Sequence, residues 1–166
     1  MRKKIPLSIA YRLLSPGPMV LVSSLYNGRA GITPIAWHMP VNDDPPMIAL
    51  EIYKGPFIYK AVMQTGDFVV NIPSSDMAGM VRRLGSVSGA KVDKFSAFGL
   101  RQEKSRKVKS PRLGGAIGIL ECKLRKDPRL AKEYDMIIAD VVYAEAEKGI
   151  FTDRWHPEKA GPRILQ

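Results

Sequence analysis

The sequence predicts a mainly β fold with short helices, arranged as a small antiparallel barrel. Short apolar runs rich in β-branched residues are separated by turn formers, and strands do not alternate with long helices as they do around a parallel sheet. Closure into a barrel would remove the free edges that many short strands otherwise expose. The length of 166 residues is typical of one domain, so we expect residues 1–166 to form a single unit.

The first predicted supersecondary element is a β-hairpin. Apolar residues 19–22 form a run of strand length, and Asn27 and Gly28 tolerate the positive φ angles of a type I′ turn. The return arm, residues 30–37, contains Pro34, which cannot donate a ladder hydrogen bond. We therefore expect an edge or bulged strand there, and such edges suit ligand sites.

Residues 39–46 are rich in turn formers and are predicted to be irregular, after which residues 47–53 resume as a third strand. Pro56 suits the first turn of a helix, and Gly66 suits its left-handed end. One or two helical turns are also expected in residues 8–14.

The next segment alternates strand and helix. Residues 67–73 are predicted as a strand, and residues 74–76 offer capping oxygens for a second helix that Gly85 should end. Residues 86–100 are expected to be a loop with one short helical turn.

The last part of the chain is predicted to end in a second hairpin. Residues 101–114 are polar and basic, and we expect a mobile or weakly structured connection. Residues 116–124 and 135–145 are β-rich runs separated by a charged turn around residues 126–132, so they should pair.

The chain is strongly basic, with a net charge of +10 and an isoelectric point near 9.8. Residues 101–132 hold eleven Lys or Arg against three acidic residues, a net of +8. Such a stretch is either solvated surface or a site for an anion. The pattern argues against a nucleic-acid partner, because aromatic residues do not alternate with these Lys and Arg residues as they do in single-strand binders.

The common catalytic and metal-binding patterns are missing from the sequence. Cys122 stands in an apolar run, where a buried thiol is favoured over a nucleophile, and one thiol forms neither a redox pair nor a zinc site. The two histidines, His38 and His156, are far apart, so we expect no metal. Phosphate-loop, dinucleotide and hydrolase motifs are absent, which favours a bound cofactor as the source of the chemistry. No apolar run approaches the ~20 residues of a membrane span, and we expect a cytoplasmic protein.

Three stretches resemble the flavin reductase-like family, and within it the flavoredoxin-like branch. They are GITPIAW at residues 31–37, followed by Pro40 and the Pro45-Pro46 pair; TGDFVVNIP at residues 65–73; and SGAKVDKF at residues 88–95. They occur in the family's order and together span about residues 15–145. The resemblance implies an antiparallel split β-barrel that binds FMN.

The resemblance also implies a function. It points to an FMN-binding oxidoreductase that acts in electron transfer or in NAD(P)H-dependent flavin reduction. We expect a homodimer with the flavin near the subunit interface, and NAD(P)H or a redox protein as partner.

An FMN site needs a flat slot for the ring and donors for the phosphate, and the sequence offers both. Trp37 either walls the ring or packs in the core, and Lys91 and Lys94 either meet the phosphate or lie on a solvent-facing loop. Trp37 and Lys94 match positions that contact FMN in flavoredoxin-like proteins. The predicted cofactor-binding residues are Thr33, Ile35, Ala36, Trp37, His38, Lys54, Lys91, Asp93, Lys94 and Phe95.

Two other functions are consistent with the sequence. The basic stretch at residues 101–132 allows a nucleic-acid-binding barrel. Three positions depart from the family's pattern: Gly31 stands in place of Asn, Ile58 in place of Ser or Thr, and Tyr134 in place of His. These departures allow a dimeric relative that has lost flavin.

Overall fold

The structure is a computed structural model that describes residues 18–152, 154–156 and 163–165. Nine strands occur in this part of the chain: β1 (Val20–Tyr26), β2 (Arg29–Ile35), β3 (His38–Asp43), β4 (Pro46–Glu51), β5 (Asp67–Ile72), β6 (Gln102–Glu103), β7 (Arg112–Leu113), β8 (Gly118–Arg125) and β9 (Met136–Ala146). Its helices are α1 (Phe57–Thr65), α2 (Ala78–Ser86), α3 (Lys94–Ala97) and α4 (Pro128–Tyr134), and a 3-10 turn covers Ser75–Met77. The helical turns predicted in residues 8–14 lie outside the described residues.

Seven of the strands form one antiparallel sheet in the order β2-β1-β5-β8-β9-β4-β3. Its two edge strands, β2 and β3, are consecutive in the chain and are separated only by Ala36 and Trp37. Since a chain spans at most about 3.6 Å per residue, the two edges meet within roughly 11 Å at this corner. The sheet therefore curls round without a ladder between its edges, which confirms the predicted split β-barrel.

The first hairpin is confirmed. Strands β1 and β2 pair from Val20 with Ile35 to Tyr26 with Arg29, and the turn residues between them both have positive φ angles. Strand β2 is an edge of the sheet, as its proline content predicted.

The predicted irregular stretch at residues 39–46 is wrong in its first part. His38–Asp43 form strand β3, which pairs with β4 and carries a bulge between Pro40 and Asn42. An edge strand tolerates a proline because its outer N–H groups have no ladder partner. The non-local partner β4, rather than local propensity, makes this segment a strand.

Helix α1 follows its sequence signals, and α2 departs from them. Gly66 ends α1 with a φ of 73°, as predicted. Ser74 bonds Asp76 within a 3-10 turn instead of capping α2, and α2 continues through Gly85 to Ser86. The predicted cap and the predicted end of α2 are therefore wrong by one turn and one residue respectively.

Residues 101–114 are ordered, so the prediction of a weakly structured connection is wrong. The buried carboxylate of Glu121 accepts hydrogen bonds from the backbone N–H groups of Arg106 and Lys107, at 2.8 and 2.6 Å. Burial alone would raise the pKa of Glu121, but these bonds and the Arg112 guanidinium outweigh it, and the pKa lies below its ordinary value.

A second buried carboxylate holds the same segment. Asp67 accepts hydrogen bonds from the backbone N–H groups of Lys109 and Ser110, both at 3.0 Å, and Ser23 donates to the Pro111 carbonyl at 2.6 Å. Asn71 accepts from the Leu113 N–H at 2.7 Å. Backbone groups of this segment are therefore paired with buried side chains instead of with a neighbouring strand.

The second hairpin, β8 with β9, is confirmed, but its connection is helix α4 instead of a plain turn. Asp127 caps α4 by accepting from the N–H groups of Arg129 and Leu130, at 3.1 and 3.2 Å. The chain leaves α4 through Asp135, whose φ is 54°.

Apolar side chains pack on both faces of the sheet. One cluster contains Val22, Val62 and Phe68, and a second joins β1 and β2 to α2 and α3 through Leu21, Leu84 and Phe95. The thiol of Cys122 is fully buried in the first cluster, as predicted, and burial raises its pKa. None of the helices in the described ranges is long and apolar enough to cross a membrane.

The Arg112–Glu121 ion pair, whose side chains are 5% and 0% exposed, is expected to matter for stability. Arg112→Ala leaves the Glu121 carboxylate buried without its guanidinium, and the free energy of unfolding should fall by about 3–5 kcal/mol in urea denaturation. Arg129→Ala removes a solvent-exposed partner of Glu133 and should cost less than about 1 kcal/mol. Equal losses in the two variants would contradict this assignment.

Candidate functional site

An open pocket of about 310 Å³ lies at the corner where the two edge strands meet. The predicted residues Thr33, Ile35, Ala36 and Trp37 all line it, together with Glu51 and Tyr53 from the end of β4 and its following loop. We call this the aromatic pocket. Among the described strands, β2 pairs only with β1, so the outer backbone groups of β2 are not part of a ladder.

Two large aromatic side chains give this pocket its chemistry. Trp37 is 44% exposed and Tyr53 is 62% exposed, so Trp37 is a wall of the pocket and the alternative of a core tryptophan is wrong. Exposed aromatic rings beside free strand edges offer a flat apolar surface with adjacent hydrogen-bonding groups. Such a surface suits a planar heteroaromatic ligand.

A second pocket of about 390 Å³ adjoins the first turn of α1 and is lined by two cationic side chains. We call it the cationic pocket. Arg29 and Lys60 line it with Tyr26, Phe57 and Ala90. The first turn of α1 also borders the aromatic pocket through Pro56 and Ile58, so the two pockets are neighbours.

Arg29 is held in place on an aromatic ring. Its guanidinium carbon lies 4.3 Å from the centroid of the Phe57 ring, and its Nη2 donates to the Gly89 carbonyl at 2.5 Å. The Tyr26 ring meets Phe57 edge-on, with centroids 5.6 Å apart. These contacts fix a positive charge at the pocket and join β2 to the loop after α2.

Gly31 is required by this packing. A Cβ atom at Gly31 would lie less than 3.0 Å from two carbons of the Phe57 ring. The absent side chain lets the ring lie directly on β2, beside the cationic pocket that Phe57 lines.

The Glu51 carboxyl stands in an unusual electrostatic setting. Burial, and then the nearby Asp135 carboxylate, raise the pKa of Glu51, and a hydrogen bond with Tyr53 partly opposes them. The predicted ligand Lys54 is engaged here, since its amine lies 3.1 Å from Asp135 Oδ1 and donates to the Lys132 carbonyl.

The predicted phosphate residues are divided between surface and interior. Lys91 is exposed in the turn after Ser88 and next to Ala90 of the cationic pocket. Lys94 is only 4% exposed, and its Nζ donates to the Leu84 carbonyl in the last turn of α2 at 2.7 Å. The expectation that Lys94 is an accessible loop lysine is therefore wrong, and its amine would have to leave this partner to reach a phosphate.

Burial lowers the pKa of the Lys94 amine. The neighbours of Lys94 also have packing roles. Asp93 caps α3 by accepting from the Ser96 N–H at 3.2 Å, and Phe95 is buried in the cluster with Leu84. The remaining candidate, His38, begins β3 with its Nε2 atom 2.8 Å from the Pro18 carbonyl oxygen. In the described ranges, no three His, Cys, Asp or Glu side chains come together as metal ligands.

Sequence reasoning missed Glu51 and Tyr53 of the aromatic pocket. It also missed Arg29, Phe57 and Lys60 of the cationic pocket. Arg29 directly follows the Asn27-Gly28 turn and Lys60 lies one helical turn after Phe57, so both carried positional signals. Their convergence depends on how α1 packs against β2, which no local pattern specifies.

The fold and the two pockets define a class of protein: an antiparallel split barrel with an aromatic pocket at its open corner and a cationic pocket beside it. The flavin reductase like domain model matches residues 12–159 of this chain. The chain therefore belongs to the flavin reductase-like family.

Individual relatives agree with this assignment. The uncharacterized protein YddH of Escherichia coli (strain K12) is 31% identical over an alignment of 166 positions, and the alignment covers 93% of this chain and 85% of YddH. The crystal structure of an FMN-binding domain of a flavin reductases-like enzyme from Shewanella baltica OS155 matches with a TM-score of 0.83 and 30% identity, over 95% of this chain and 83% of that one. Flavoredoxin of Desulfovibrio vulgaris (Miyazaki F) matches with a TM-score of 0.83 and 26% identity, over 99% and 87% of the two chains.

The close approach of Phe57 to Gly31 gives a direct prediction. Gly31→Ala should lower the free energy of unfolding by about 1–3 kcal/mol, because the added methyl group displaces the Phe57 ring. In the Phe57→Leu background, the same Gly31→Ala substitution should lower the free energy of unfolding by less than it does in the wild type. A double-mutant cycle in urea measures this difference. Gly79→Ala, where no atom lies within 4 Å, is the control and should not destabilise the protein. Additive effects of the Gly31 and Phe57 changes would contradict the contact.

Proposed function

We propose that the protein binds FMN and acts in electron transfer, as an NAD(P)H-dependent flavin reductase or as a flavoredoxin-like electron carrier. The observation that carries the proposal is the adjacency of the aromatic and cationic pockets along the edge strand β2. A flavin ring and its phosphate need these two environments side by side. The family's flavin-related function and the FMN-binding relatives of known structure support the same conclusion.

The donor set of the structure fits FMN in kind. Trp37 and Tyr53 would flank the ring, and the outer backbone groups of residues 33–36 would meet its polar edge. Arg29 and Lys60 would hold the phosphate as charge-assisted donors. The isoalloxazine, when bound, supplies the redox chemistry, and the protein's part is to orient it and restrict its access to water.

The departures at Gly31 and Ile58 are compatible with this proposal. Gly31 makes room for Phe57, on which Arg29 rests, and Ile58 is buried in the core at 4% exposure. In the proposed site, Arg29 of β2 would supply a phosphate donor that does not depend on a hydroxyl at position 58 of α1.

Titration of the purified protein with FMN tests the proposal. Flavin fluorescence should be quenched with a saturable dependence on protein concentration, and the thermal midpoint should rise with added FMN. A folded protein that neither quenches FMN nor gains thermal stability from it would instead support a relative that has lost flavin.

Lys60→Met is predicted to separate the phosphate from the ring. Loss of one charge-assisted hydrogen bond is worth about 1.5–3 kcal/mol, so the Kd for FMN should rise roughly tenfold to a hundredfold. The Kd for riboflavin, which has no phosphate, should stay nearly constant. Lys104→Met, at an exposed lysine that does not line either pocket, is the matched control. Equal weakening of FMN and riboflavin would place Lys60 at the ring.

We also propose that the protein is a homodimer and that strand β3 lies in its interface. Five of the six residues of β3 are exposed, and the alternating Met39 and Val41 are 55% and 42% exposed. An edge strand with exposed apolar side chains is a ready surface for a second chain. This strand adjoins the aromatic pocket through Trp37, which would place the flavin near the interface.

Sedimentation of Val41→Lys tests this interface. The substitution puts a charge into a surface that would become buried, so the dimer should dissociate at concentrations where the wild type does not. Lys123→Glu, on the exposed part of β8, serves as the control. A monomeric wild type, or a dimer unaffected by Val41→Lys, would contradict the proposed interface.

The nucleic-acid alternative gains no specific support from the structure. All five arginines of residues 101–132 are ion-paired: Arg101 with Glu103, Arg106 with Glu145, Arg112 with Glu121, Arg125 with Asp140 and Arg129 with Glu133. Arg112 is also buried. The stretch therefore presents less free positive charge than its composition indicates.

A further inference from the structure

Glu51 is the only carboxyl group among the described residues that line the aromatic pocket. It is the last residue of β4, and its N–H donates to the Trp37 carbonyl at 3.0 Å. This bond fixes the backbone of Glu51 opposite the residue that walls the pocket. Because Glu51 and Trp37 also line the same pocket, a ligand that contacts Trp37 there would lie close to Glu51.

The groups around Glu51 come from three elements. Asp135, at the end of α4, acts on it through its negative charge, and Tyr53 shares a hydrogen bond with it. Lys54 pairs with Asp135 at 3.1 Å, so its charge is directed to that carboxylate. On β3, the ring of His38 lies against the Pro18 carbonyl, at 2.8 Å. The net effect of burial and of Asp135 is to favour the neutral form of Glu51.

A planar ligand that covers the pocket would strengthen this preference. It would remove water from the carboxyl while leaving the Asp135 charge in place, and both conditions disfavour a second negative charge. The neutral acid can also donate a hydrogen bond, and a flavin ring edge carries several acceptor atoms.

We propose that Glu51 binds the flavin ring as a neutral carboxylic acid, so that binding of the ring takes up a proton. This inference rests on the proposed function and adds a pH-dependent ligand to it. Glu51 would then hold a proton at the edge of the flavin ring, which is the part of the cofactor that is reduced.

The sign of the pH dependence follows from linkage. Below the pKa of the free pocket, Glu51 is already neutral and binding takes up no proton. Between the free and the bound pKa, up to one proton is taken up per ring, and affinity falls by as much as tenfold per pH unit as the pH rises. Above the bound pKa, the carboxyl is ionised in both states and the affinity levels off.

Riboflavin is the probe for the test, because the phosphate of FMN itself titrates near pH 6 and would add its own protons. Calorimetric titrations between about pH 5 and 8, in two buffers of different ionisation enthalpy, give the number of protons taken up. We expect wild-type uptake that is lost in Glu51→Gln and retained in Glu147→Gln, an exposed glutamate that does not line the pocket. Unchanged uptake in Glu51→Gln, or release of a proton by the wild type, overturns the proposal.

Asp135→Asn provides a second, independent measurement. Asparagine tolerates the positive φ at this position, and removal of the negative charge should move the uptake to lower pH without abolishing it. If Glu51→Gln fails to fold, this shift in the pH range of proton uptake tests the proposal instead. A pH range of proton uptake that is the same in Asp135→Asn and in the wild type overturns the proposal. Riboflavin binding without Glu51-dependent uptake contradicts this inference alone, whereas absence of both FMN and riboflavin binding contradicts the proposed function as well.

Discussion

The two-residue connection between β2 and β3 is the constraint on which the structure depends. Ala36 and Trp37 bring the two edges of a seven-stranded sheet together, but the strands diverge from there without pairing. The corner is consequently an opening walled by Trp37. The bond from Glu51 to the Trp37 carbonyl ties the end of β4 to the same corner, at 3.0 Å. One short connection thus determines both barrel closure and the position of the aromatic pocket.

The basic segment between β6 and β7 shows how buried polar groups can order a chain that lacks a hydrophobic pattern. The carboxylates of Asp67 and Glu121 accept hydrogen bonds from backbone N–H groups of this segment. The segment's lysines are thus held through their backbone and not through ion pairs with these two carboxylates. Buried carboxylates with several donors are stable only when every partner is in place. The segment should therefore fold together with the sheet beneath it.

Local signals predicted those elements whose causes are local, such as the first hairpin through Asn27 and Gly28 and the end of α1 through Gly66. The overall barrel was predicted through the order of the strands and the family resemblance. Errors occur where a distant partner decides the outcome: β3 exists because β4 pairs with it, and Lys94 is buried because the end of α2 accepts its amine. Thr33 and residues 35–37 of the aromatic pocket were among the predicted candidates, whereas Glu51 and Tyr53 were not. The cationic pocket, which needs α1 against β2, was not predicted.

The cationic pocket makes the departure from the family pattern at Gly31 compatible with the proposed FMN site. The Phe57 ring occupies the space that a side chain at position 31 would take. The guanidinium carbon of Arg29 lies over the face of that ring, 4.3 Å from its centroid. One donor of this guanidinium is engaged by the Gly89 carbonyl, and in the proposed FMN site its other donors would meet the phosphate. In the proposed FMN site, Arg29 would therefore supply a cationic donor, although position 31 lacks the Asn side chain that the family resemblance implies.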